Sequence, residues 1–178
     1  MKNIEINSVN HKIQELVNSL KNKEKIRVLF VCLGNICRSP AAEGVLRSIV
    51  EASGDVDKWM IDSGGMGGWH VGELPDQRMR VHAKARGLTL EHRCRRVTSA
   101  DFDDFDIIIG MDSMNIEDLR EMAPSPEAMD KIVPMAVFVD KDMHCDHIPD
   151  PYYDGAEGFE RVLDLLQNGC NNLYNLLK

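Results

Sequence analysis

The sequence predicts an α/β fold in one domain: a doubly wound, four-stranded parallel sheet flanked by helices. Two of the observations behind this are the short apolar runs Val28 to Cys32 and Phe105 to Met111, which have the length and composition of strands buried on both faces. The third is that segments with apolar residues at helical spacing separate the strands, so the connections are crossovers rather than hairpins. Ligand sites in such sheets lie beyond the carboxyl ends of the strands. That directs attention to the residues after Cys32.

The elements follow in order. Residues 1–24 stand apart as an N-terminal extension to a domain of residues 25–178. Ile13, Leu16, Val17 and Leu20 fall at helical intervals after a Ser8 cap and predict a short amphipathic helix, packed on the domain or on a second copy. Val28 to Cys32 form the first strand, which Gly34 and Asn35 break. Ser39 and Pro40 read as N-cap and first residue of a helix, and Glu43 sits near its first turn, where the dipole favours a carboxylate. Ala42, Val45, Leu46, Ile49 and Val50 carry that helix to a stop near Gly54. Trp59 to Ser63 predicts the second strand, and Gly64, Gly65, Gly67 and Gly68 a long flexible loop before Trp69 and His70. Asp76 to Arg86 predicts a helix stopped by Gly87. After Phe105 to Met111, Asp112 or Ser113 caps a helix that ends near Met122. Lys131 to Met135 predicts the fourth strand. Ala156 to Leu177 predicts the last helix, with Phe159, Val162, Leu163, Leu166 and Leu173 on its apolar side and Gly169 as its weak point.

Composition narrows the function. A length of 178 residues suits one domain with a full core. No stretch approaches the roughly eighteen apolar residues of a membrane span, and the N-terminus lacks the apolar centre of a signal peptide. The expectation is a cytoplasmic protein without membrane insertion. The five cysteines are an odd number without metal-ligand clustering, which suits a reducing compartment. His70, His82, His92, His144 and His147 show no metal-binding spacing and are expected to be ordinary polar residues. A net charge of −8 argues against nucleic acid as a partner. Within it lies a basic middle, Arg78, Arg80, Lys84, Arg86, Arg93, Arg95 and Arg96, read first as a solvated face and second as a source of positive potential for an anionic substrate.

The chemistry is concentrated between Cys32 and Arg38, a thiol and a guanidinium with five residues between them. A loop this short entering a helix points backbone amides inward and makes a nest for a tetrahedral oxyanion. Arg38 adds a planar fork that holds two oxygens at once. The same dipoles and charge favour thiolate over thiol at Cys32. A buried cysteine ending a strand would account for Cys32 alone, but not for the Gly34-Asn35 turn, Arg38 and Ser39-Pro40 in register. The stretch Cys32 to Pro40, CLGNICRSP, resembles the CxGNxCRSP loop of low-molecular-weight protein tyrosine phosphatases.

That resemblance implies a flavodoxin-like, Rossmann-like three-layer version of the fold, and hydrolysis of protein phosphotyrosine and small aryl phosphates. Cys32 would be the nucleophile, with Arg38 and the amides of Leu33, Gly34, Asn35, Ile36 and Cys37 holding the phosphate. Ser39 would donate to the Cys32 sulfur and make it a better leaving group; a plain N-cap is the other reading, and the two are compatible. In Ile148 to Asp154, IPDPYYD, composition alone suggests only a turn. The family's general acid lies in such a DPY sequence, so the resemblance assigns that role to Asp150 and makes Tyr152 and Tyr153 walls of the cleft. Trp69 resembles the aromatic residue of the family's recognition loop. No cofactor or metal is implied; the expected oligomeric state is a monomer or weak dimer.

Asn35 is expected in a left-handed turn. In the family its side chain joins a network with the motif serine, a serine matching Ser63, and a histidine whose place Arg86 takes in this chain. Cys37 either pairs with an oxidised Cys32 or is a small buried residue; Cys94, Cys145 and Cys170 receive no role. Three rival readings remain. Thioredoxin-coupled arsenate reductases share the fold and loop but need two further cysteines after the third strand, and Gly110 to Met122 has none. Protein-arginine phosphatases of this family carry threonine at the place of Ile36, whose apolar side chain suits a phenyl ring better than a guanidinium. A silent phospho-binding module would be expected to lose the thiol or the acid, and neither is missing.

Overall fold

A computed structural model describes residues 11–178. The predicted Ser8 cap lies outside them. The order is α1 (His11–Leu20), β1 (Ile26–Cys32), α2 (Arg38–Ala52), β2 (Trp59–Gly65), α3 (Gln77–Ala85), a single turn α4 (Asp101–Asp104), β3 (Ile107–Gly110), α5 (Ser113–Met122), a single turn α6 (Pro126–Met129), β4 (Ile132–Pro134) and α7 (Ala156–Leu177). All strand pairs are parallel and the sheet order is β2-β1-β3-β4.

Alternation along the central strands builds the two faces. Val28, Phe30 and Cys32 point into one apolar cluster with residues of α2 and α7, whereas Leu29 and Val31 point into another with residues of α5 and α6. On β3, Ile107 and Ile109 join the first cluster and Ile108 the second. This is the doubly wound, three-layer arrangement that the sequence predicts. The extension packs on it: Ile13, Val17 and Leu20 of α1 are buried in the larger cluster. Burying each such side chain stabilises by roughly 1.5–3 kcal/mol, and ion pairs join Lys12 of α1 to Asp130 and Lys23, beyond its end, to Asp106.

Several expectations change. Gly64 and Gly65 belong to β2 and are buried rather than forming a flexible loop. Helix α2 opens at Arg38, with Cys37 in the cap position, so Ser39 lies inside the helix and Glu43 past its first turn. Gly169 is buried in α7, where a Cβ would lie 2.5 Å from the terminal methyl of Met135 and 3.2 Å from Val139, so a larger residue there requires Met135 to shift. Within the basic middle three of the seven residues meet carboxylates: Arg95 pairs with Asp62 and Asp101, Arg78 with Asp76, and Arg86 with Glu160 and Asp164. Among the described residues no helix is long and apolar enough to cross a membrane.

Arg86 at the C-terminus of α3 reaches across to α7, pairing with Glu160 and with Asp164 at 2.9 Å, while His82 contacts the other Glu160 oxygen at 2.6 Å. Arg86, and then His82, hold the Glu160 carboxyl below its ordinary pKa. A depressed carboxyl contributes stability that is present above its unfolded-state value and lost as the pH falls through the folded-state value. Glu160→Gln should therefore lower the urea midpoint at neutral pH, and the two curves should converge on acidification to about pH 4 or below. Equal destabilisation across that range would remove the ion pair as the cause.

Candidate active site

Cys32 ends β1 at the carboxyl edge of the sheet, and the chain turns through Leu33 to Cys37 into α2. Donors behind the loop occupy its carbonyl oxygens. Met66 N donates to Cys32 O (3.0 Å), Gly67 N to Leu33 O (2.8 Å) and Asp76 N to Ile36 O (2.8 Å), and Cys94 Sγ donates to Asn35 O (2.8 Å). With the carbonyls held outward, the amides of a short loop turn inward. No side-chain cap bond closes the start of α2, which leaves its first-turn amides to an incoming anion. Gly65 makes the tight approach possible: a Cβ there would lie 2.9 Å from Leu33 O and 3.0 Å from Asn35 N.

Asn35 takes the expected left-handed conformation, φ 57°. Its Nδ2 donates to Ser39 Oγ (2.8 Å) and Ser63 Oγ (3.0 Å), and its Oδ1 accepts from the Arg95 amide (3.0 Å) and faces His92 Nε2 at 3.0 Å. Ser63 Oγ in turn donates to the buried Glu43 at 3.1 Å. The network's histidine is thus His92, not a position lost to Arg86. Arg86 is turned away toward α7, and the segment after α3 runs back beneath the loop to deliver His92.

Ser39 is not an N-cap. Its Oγ accepts from Asn35 and lies 3.0 Å from Cys32 Sγ and 3.4 Å from Gly64 O, so the sulfur is the nearer of the two acceptors its proton can serve. Arg38 is 3% exposed. Its Nη1 donates to Asp112 Oδ2 (2.6 Å) and Ile148 O (3.1 Å), and Nη2 is 3.7 Å from Asp150 Oδ2. Burial works against the Arg38 charge, but the neighbouring Cys32 and the Asp112 hydrogen bond carry its pKa net above the ordinary value.

These groups meet in a cleft of about 250 Å³. It is lined by all the residues expected at the site except Asn35 and Ser39, which act from behind the loop, and it adds His70. Trp69 and Tyr153 are exposed at its mouth. Tyr152 packs edge-on against Tyr153 with centroids 5.0 Å apart, beneath the Arg78 guanidinium at 5.3 Å. Asp150 is exposed, and its Oδ1 accepts from the Tyr152 amide at 3.1 Å.

Comparison with known proteins agrees with the geometry. The family model for low molecular weight phosphotyrosine protein phosphatase matches residues 27–178. The chain belongs to that family. The low molecular weight protein-tyrosine-phosphatase YfkJ of Bacillus subtilis is 42% identical over 149 residues, covering 83% of this chain and 93% of that protein. A protein tyrosine phosphatase from Entamoeba histolytica, solved with Hepes in its active site, superposes with a TM-score of 0.81 at 40% identity, covering 85% of this chain and 96% of that one. The Drosophila arginine phosphatase superposes with a TM-score of 0.77 at 34% identity, covering 84% and 96%.

For a member of this phosphatase family, sequence reasoning overlooked Asp112 as the anchor of Arg38, His92 and Glu43 as network members, and His70 in the cleft. Only Asp112 carried a usable signal, since it directly follows the carboxyl end of a buried strand. Cys37 and Cys94 are free thiols; burial pushes the first well up and the second to about 11.

Gly65→Ala should displace the Leu33–Asn35 backbone and lower aryl phosphate turnover by about a hundredfold, the scale of a misplacement near 1 Å. Weakened vanadate binding should accompany it. Unchanged vanadate affinity would show that the loop tolerates the methyl group.

Proposed function

We propose that this protein hydrolyses phosphotyrosine in proteins, and small aryl phosphates, through a cysteinyl-phosphate. The observation that carries this reading is that Cys32, Arg38 and Asp150 line one cleft, with Ser39 Oγ 3.0 Å from the Cys32 sulfur. In the first step the Cys32 thiolate bonds to phosphorus as the aryl oxygen departs, taking a proton from Asp150. In the second, Asp150 removes a proton from water, whose oxygen bonds to phosphorus while the sulfur leaves as thiolate. The Ser39 hydroxyl donates to that sulfur as negative charge returns to it. Arg38 and the loop amides hold the equatorial oxygens throughout. Asp112 and Ile148 O keep one edge of the guanidinium fixed, so little reorganisation accompanies the reaction.

Ile36, Trp69, Tyr152 and Tyr153 offer apolar and aromatic surface to a phenyl ring and support the phosphotyrosine reading. The resemblance to the Drosophila arginine phosphatase motivates a second reading, phosphoarginine, and Ile36 speaks against it because an apolar side chain leaves a guanidinium without a hydrogen-bond acceptor. The unpaired thiols suit a cytoplasmic location. The family match from residue 27 supports a division into an extension of residues 1–24, whose helix α1 packs on the core, and a phosphatase domain of residues 25–178.

The deciding experiment compares phosphotyrosine and phosphoarginine peptides as substrates; faster release of phosphate from phosphoarginine would reverse the assignment. Cys32→Ser should abolish turnover while retaining phosphate binding by calorimetry, and undiminished turnover would remove Cys32 from the mechanism. Asp150→Asn should cost about 10²–10⁴-fold for poor leaving groups and far less for good ones. A uniform loss would argue against general-acid action.

A further inference from the structure

Outside the cleft, the far end of the Asn35 network has a geometry that phosphate chemistry does not use. Glu43 on α2, Asp62 on β2 and His92 bring three ligand atoms within 4.8 Å of one another. They lie on the wall of a second cavity, about 510 Å³, between α2 and the segment of residues 87–92. His92 Nδ1 is 3.4 Å from Glu43 Oε2 and 3.4 Å from Asp62 Oδ1. Metal bonds of 2.0–2.2 Å to nitrogen and oxygen, at tetrahedral angles, place ligand atoms about 3.3–3.5 Å apart. The two observed spacings are edges of such a site. We propose that Glu43, Asp62 and His92 bind a divalent first-row transition ion, with zinc as the probe.

Each ligand is oriented for this by a neighbour. The Arg95 backbone amide donates to Asn35 Oδ1, which fixes that atom as an acceptor, so His92 Nε2 facing it carries a proton. The remaining nitrogen, Nδ1, is the one that faces the carboxylates. An imidazole that donates through one nitrogen and ligates through the other is the usual second-shell pattern of metal sites. Glu43 gives Oε1 to Arg47, and Asp62 gives Oδ2 to Arg95. The oxygens turned toward His92 accept from neutral donors, Ser63 Oγ at 3.1 Å and Ser63 N at 2.8 Å. Glu43 is also buried, at a cost to its charge that a cation would offset. The competing occupant is a proton on Nδ1, which would make an imidazolium between the same carboxylates.

The test is zinc titration by calorimetry into the full-length chain carrying Cys32→Ser, which removes the catalytic thiol as a competing ligand. One ion per chain is expected, with affinity reduced about tenfold or more by Asp62→Asn or by His92→Gln in the same background. Zinc should also raise the melting temperature of the parent and not of these variants. In the parent, zinc should shift the imidazole resonances of His92 and leave those of His144 and His147, beside Cys145, in place. That spectrum decides the matter even if a variant fails to fold. No binding at neutral pH, binding indifferent to Asp62→Asn, or shifts confined to His144 and His147 would overturn the proposal.

Discussion

The left-handed backbone of Asn35 is the constraint on which the site depends. An L-residue in that region costs roughly 1–2 kcal/mol, and here four polar contacts to the Asn35 side chain offset it. The reversal at Asn35 lets Cys32 and Arg38 belong to different secondary structures yet face one point. The same side chain orients the Ser39 hydroxyl toward sulfur and ties the loop to β2 and to the segment bearing His92. Loop shape and thiol environment are therefore set by one buried amide group rather than by separate devices.

What the sequence revealed and what it hid divide along contact distance in the chain. The strand, turn and helix around Cys32 were legible because periodicity and turn chemistry are local signals, as were α7 and the Asp112 cap of α5. Asp112 on Arg38 was not, since 74 residues separate the partners. Likewise, nothing local distinguishes His92 from its polar neighbours, and in a run rich in arginine the network position was assigned to Arg86. Gly64 and Gly65 were misread because glycine signals flexibility in composition, whereas here it permits the loop and β2 to approach closely. Ser39 was misplaced by two positions, since the cap is Cys37. Because α2 begins at Arg38, the hydroxyl faces inward instead of capping.

The sulfurs show how one fold gives identical groups different chemistry. Burial holds Cys37, Cys94 and Cys170 toward the protonated form. Cys94 spends its proton on the Asn35 carbonyl and so serves the loop's shape. Cys32, by contrast, lies at the floor of the cleft beside a cation and a hydroxyl. A neighbouring thiol that stays protonated does not compete with it for an electrophile.

The vertical arrangement of the cleft has one more consequence. Its reactive floor is almost sealed, with Cys32 and Arg38 each 3% exposed, while Tyr153 at the rim is 94% exposed. A phosphoryl group must descend past the rings before sulfur can meet it, and a flat rigid spacer delivers it there without fraying. The distance from exposed rim to buried floor therefore sets a demand on the length of the phosphorylated side chain, apart from any contact with the peptide around it.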